Sequence, residues 1–86
     1  MKLKKNVILR TVVDENLLIP VGEAVTEFNG VFTISPTAAV AFKGIQSGKG
    51  EKEILKDILE SFDIDENTAR NDLEAFLKEL EQLGII

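Results

Sequence analysis

The chain has 86 residues, and neither cysteine nor histidine is among them. The first absence excludes disulfides, thiolate nucleophiles and iron–sulfur ligation, and the two together exclude the usual zinc sites. Lack of histidine also removes the commonest general base and the usual activator of a nucleophile. No cofactor is expected, and any cofactor chemistry has to come from another molecule. No segment is long and apolar enough to cross a bilayer. Met1–Val13 places basic residues before an apolar run, in the manner of a secretion signal. Arg10 interrupts that run and no small-residue cleavage site follows, so the segment is expected in the mature protein, in the cytoplasm. A chain of this length makes one domain, residues 1–86, with an adequate but not generous core.

Positive charge is scarce in the C-terminal part. Residues 57–86 hold two basic and nine acidic residues, whereas residues 1–56 hold eight basic and six acidic. The bland explanation is a solvated helix face. In either case this part of the chain repels a phosphate backbone, so nucleic acid is not an expected partner, and without a spanning segment neither is a membrane. The basic lead-in Lys2, Lys4 and Lys5 aids solubility or attracts an acidic partner.

The clearest element is Asp65–Leu83. Ala69, Leu73, Phe76, Leu77, Leu80 and Leu83 recur at steps of three and four, which puts them on one face of a helix. Asp65 stands at the N-cap position, and Gly84 stands where a left-handed residue ends a helix. Such a stripe needs a partner surface. Upstream, Asn6–Val13 is rich in β-branched residues and predicts a strand, Asp14–Asn16 a turn, and Leu17–Val21 a second strand. Pro20 lies inside the second strand and lacks a donor, so it must face away from a partner or mark an irregular edge. Glu23–Gly30 is ambiguous until Asn29-Gly30, a tight-turn signal, and Val31–Ile34 predicts a third short strand. Ser35-Pro36 is a helix cap followed by proline at the first helical position. Helices are expected over Thr37–Gln46, where Gly44 either weakens the helix or permits close packing, and over Glu51–Phe62. The expectation is therefore an α+β domain, a three-stranded antiparallel sheet followed by three helices (βββααα), winged-helix-like.

Several strings resemble those of the PqqD-like family, small proteins associated with pyrroloquinoline quinone biosynthesis and with other ribosomally made, modified peptides. They are Val7-Ile8-Leu9-Arg10, Leu18-Ile19-Pro20-Val21-Gly22-Glu23, Phe28-Asn29-Gly30 and Asp63-Ile64-Asp65. Further along come Asp72 with Phe76-Leu77 and Leu80, and then Gly84-Ile85-Ile86. The chain departs from the family in having Ile34-Ser35 where Leu-Asn is common and Phe42 where tryptophan is common; both replacements keep the role of the position. The resemblance implies a non-catalytic adaptor that binds the leader of a precursor peptide and presents it to a modifying enzyme, often a radical S-adenosylmethionine enzyme. It also implies that the leader is held as an added strand on the third strand, against the third helix. Carried over, the peptide-binding residues are Val31, Phe32, Thr33 and Ile34 on the strand and Ala69, Asp72, Phe76 and Glu79 on the helix.

Each of these residues also has a plainer explanation. Ile34, Phe42, Ile58, Leu73 and Leu77 have the spacing of core residues, and Phe76 is either core or groove wall. Thr33 is an exposed strand residue, and Asp72 and Lys78 are surface charges. Helix surfaces carry carboxylates routinely, so the acidic residues do not indicate acid–base catalysis. The competing function is a winged-helix DNA-binding or transcription-associated domain, which rests on fold analogy alone. A recognition helix needs Lys or Arg near bases and phosphates. Here the last helix sets Asp65, Glu66, Asp72, Glu74, Glu79 and Glu81 against only Arg70 and Lys78. Open edges of the sheet leave homodimerisation or strand exchange as a further expectation.

Overall fold

A computed structural model describes residues 1–86. Strands β1 (Val7–Val12), β2 (Glu15–Pro20) and β3 (Phe32–Ile34) form an antiparallel sheet in the order β1-β2-β3. Helices α1 (Pro36–Gln46), α2 (Glu51–Ser61) and α3 (Glu66–Gln82) follow. The βββααα order is as expected, and the segment between β2 and β3 forms a 3₁₀ turn over Gly22–Thr26.

The first hairpin differs from its expectation. Its turn is Val13-Asp14, and Glu15 and Asn16 belong to β2. A three-residue turn over Asp14–Asn16 would pair Val13 with Leu17 and place Arg10 and Val12 on the face of Leu18. The two-residue turn sets Leu9 opposite Leu18 and Val7 opposite Pro20. A one-residue slip moves every side chain to the other face, so burying Val7 and Leu9 in place of Arg10 decides the register. The cost falls on Val13, which is 90% exposed and holds φ at +56°, a conformation unfavourable for a β-branched residue.

The same register explains Pro20. Val21 N–H donates to the Asn6 carbonyl at 2.8 Å, so Leu17 and Ile19 also point their N–H groups at β1, and Asn16 and Leu18 point theirs at β3. Position 20 faces the β3 side, but β3 ends its pairing at Leu18↔Phe32. No donor is needed there, and proline is tolerated.

The helices pack on one face of the sheet around Phe42, Leu18, Ile54, Ile58, Leu80 and Ile85, all essentially inaccessible. Gly44 is a close-approach position, since a β-carbon there would lie 2.6 Å from Ile54 Cγ1. Ser35 Oγ accepts from Ala38 N–H at 3.1 Å and starts α1 one residue after β3 ends. The Asp65 carboxylate caps α3 by accepting from Thr68 Oγ1 at 2.7 Å, Thr68 N–H at 3.1 Å and Asn67 N–H at 3.3 Å. These hydrogen bonds, the Thr68 hydroxyl first, hold its pKa below the ordinary carboxylate value. Gly84, at φ +73°, ends α3. Its N–H donates to Glu81 and that of Ile85 to Leu80, the paired bonds of a Schellman cap. Ile85 is thereby buried against Leu80, and its carbonyl accepts from Lys4 N–H at 2.6 Å. No helix is long and apolar enough to cross a membrane.

Candidate functional site

β3 is short because it is the last strand and only three of its residues pair with β2. Along it, Phe32 and Ile34 stand opposite Leu18 and Asn16, and Thr33 stands opposite Leu17. With Val21 N–H bonded to the Asn6 carbonyl, strand alternation makes the first two the hydrogen-bonded pairs and the third the non-bonded one. By the alternation fixed at Val21 and Asn6, the N–H and C=O of Thr33 point away from the sheet to a free edge. The side chains divide the other way. Those of Phe32 and Ile34 turn toward the helices and pack on the core, and that of Thr33 is exposed on the opposite face. Phe32 is braced by Phe28, edge to face, with ring centroids 5.6 Å apart.

Between this edge and α3 runs an open groove of ≈ 590 Å³. Its strand wall is Val31, Phe32, Thr33, Ile34 and Ser35, and its helix wall is Asp72, Ala75, Phe76, Glu79, Leu80 and Leu83. Leu18, Thr37 and Ala38 complete the lining. Seven of the eight residues assigned from the sequence are brought together here. Ala69 is the exception: it is fully buried in the core and lines no part of the groove. At about 100° per residue Ala69 lies at the middle of the arc that holds Leu73, Phe76 and Leu80, and the groove-facing arc of Asp72, Glu79 and Leu83 is displaced from it by about 40–80°. Phe76 sits where the two arcs meet and is both core and groove wall, as its 8% exposure reflects.

The lining residues that sequence reasoning missed are Leu18, Ser35, Thr37, Ala38, Ala75, Leu80 and Leu83. Leu83 had a signal, since it continues the Asp72–Phe76–Glu79 series by four. Thr37 and Ala38 had none, because their place depends on α1 leaving β3 with only Ser35 between them. Electrostatically, the groove has an apolar floor with Asp72 and Glu79 as its only charged lining residues. Neither takes part in an ion pair; on α3 the pairing is Arg70 with Glu66. Nowhere do three or more potential ligand side chains converge as a metal site requires. The groove offers two things, unused main-chain hydrogen bonds on one wall and an apolar surface edged with negative charge on the other.

Comparison with known proteins agrees with this architecture. The solved structure described as "TbiB1 in Complex with the TbiA(beta) Leader Peptide" shares the fold with a TM-score of 0.74. The two are 24% identical, and the match covers 99% of this chain and 93% of the other. Comparison with curated proteins gave no match. The family model for coenzyme PQQ synthesis protein D (PqqD) matches residues 12–86, which take in β2, β3 and all three helices with the whole groove. The chain belongs to the PqqD family.

Proposed function

We propose that this chain is a non-catalytic adaptor, a single peptide-recognition domain over residues 1–86, that binds the leader of a ribosomally made precursor peptide. The observation that carries this reading is the free edge at Thr33 facing a groove walled by α3. A peptide laid along that edge gains main-chain hydrogen bonds from Thr33, while its alternate side chains enter the groove; this is strand addition. Val31, Phe32, Thr33 and Ile34 form the docking edge, and Asp72, Phe76 and Glu79 form the wall. Family membership supports the reading, and so does a neighbour of the same fold whose structure was determined with a leader peptide.

The adaptor hands the bound precursor to a maturation enzyme, and the family resemblance supports a radical S-adenosylmethionine enzyme in that role. Chemistry on the peptide belongs to that partner. The other free edge of the sheet, along β1, is the place for pairing with a second copy, so leader binding and self-association use opposite sides. The test is isothermal titration of the chain with the leader of a precursor peptide encoded beside its gene. Saturable binding that is abolished when the Thr33 edge is blocked supports the function. Absence of binding, or binding indifferent to that edge, refutes it.

A further inference from the structure

The proposed docking groove has one chemical asymmetry that a generic strand-addition site does not need. Its charged lining residues, Asp72 and Glu79, are both acidic, both exposed and both without an ion-pair partner, and no Lys or Arg lines the groove. The chain's own basic lead-in does not line the groove. Lys5 pairs with Glu27 at 2.6 Å, and Lys4 N–H is bonded to Ile85. The surrounding C-terminal part, with nine acidic and two basic residues over 57–86, adds a long-range field of the same sign that favours approach of cations.

Geometry converts this charge into a sequence pattern. A strand added beside Thr33 turns alternate side chains toward the helix side, each about 6.8 Å from the next. Asp72 and Glu79 are seven residues apart on α3, about 10 Å along its axis at about 1.5 Å per residue. Cationic side chains two or four residues apart on the added strand are spaced by about 7 or 14 Å and bracket that separation. Their long flexible stems absorb the difference and lie against apolar surface while the charged heads reach outward. Phe76, halfway between the carboxylates, and Leu83 receive the apolar side chains of the same strand face.

We infer, resting on the docking function proposed above, that the groove selects an extended peptide segment bearing Lys or Arg at two inward-facing positions, two or four residues apart. Apolar side chains share that face. Asp72 and Glu79 are then specificity-determining residues, and a leader whose corresponding positions are acidic is rejected by like-charge opposition.

The test uses the full chain and a displayed library of randomised dodecapeptides, selected in parallel on the parent and on Thr33→Pro. The expected result is a set of binders lost on Thr33→Pro and enriched in spaced Lys or Arg. Their affinity should fall by roughly tenfold on the double variant Asp72→Lys/Glu79→Lys, as expected when two exposed pairs are turned from attraction to repulsion. Selection on that double variant should in turn favour Asp and Glu at the same spacing. Circular dichroism checks that each variant is folded. Binders that need the Thr33 edge but show no basic enrichment, or bind the double variant equally well, overturn this inference and leave the docking function standing. If no enriched binder depends on the Thr33 edge, both fall.

Discussion

Proline scanning of β3 separates the strand's inner from its outer hydrogen bonds. Phe32 N–H faces Leu18, whose side chain is 1% exposed. Replacing Phe32 with proline removes that donor and leaves a buried acceptor without a partner, at about 1–3 kcal/mol. It also removes a half-buried aromatic ring braced on Phe28. Full Phe→Ala truncation in a core costs about 3–5 kcal/mol, and half of that is a fair share for a half-buried ring. The sum, about 3–5 kcal/mol, is a large part of the stability available to a domain of this size, on the order of 4–13 kcal/mol. Phe32→Ala serves as the control that isolates the side-chain part. Thr33→Pro removes no internal hydrogen bond, because that N–H points to solvent, and proline prefers an extended preceding residue, as Phe32 already is. Its stability should stay within about 1 kcal/mol of the parent. The added peptide, however, loses one bond, roughly 0.5–1.5 kcal/mol net, and meets the ring at the docking edge. Urea unfolding followed by circular dichroism measures the first effect, and leader titration the second. A stable Phe32→Pro beside an unfolded Thr33→Pro would reverse the assigned alternation. Two folded variants that bind as well as the parent would refute docking on β3.

Three further expectations test the fold and its charge. Gly44→Ala should gain about 1 kcal/mol in helix propensity and lose about 1–3 kcal/mol to overpacking against Ile54, so thermal unfolding should shift downward. The double variant Gly44→Ala/Ile54→Ala should cost less than the sum of its parts. Asp65 has a lowered folded-state pKa, so its stabilising contribution is complete above the unfolded carboxylate value of about 3.9 and is lost as pH falls through the lower folded value. The melting-temperature gap between parent and Asp65→Ala should therefore narrow below about pH 4, and a gap unchanged down to about pH 2 would contradict the capping role. The isolated chain should not bind duplex DNA at low salt in an anisotropy titration; salt-sensitive micromolar binding would restore the winged-helix alternative.

Much of this was legible in the sequence, for reasons that differ by element. The helices announce themselves locally through three-and-four spacing, the Ser35 and Asp65 caps and Gly84, and their observed ends fall within a residue of expectation. The first hairpin does not, because a valine at positive φ contradicts its own propensity. Only the nonlocal gain of burying Val7 and Leu9 explains the Val13-Asp14 turn. The groove was legible where it depends on helix arithmetic, as at Asp72, Phe76 and Glu79. It was misjudged at Ala69, where a stripe of small and large residues does not reveal which arc is covered by other elements. Thr37 and Ala38 were invisible because their place in the lining follows from the one-residue connection, Ser35, between β3 and α1.

Amide hydrogen exchange at Thr33 tests the central claim most directly. In the free chain the Phe32 and Ile34 amides should be protected by pairing with β2, and the Thr33 amide should exchange freely. At saturating leader peptide the Thr33 amide should become protected as it donates to the added strand. If the peptide binds and Thr33 exchange does not slow, the peptide does not add to this edge.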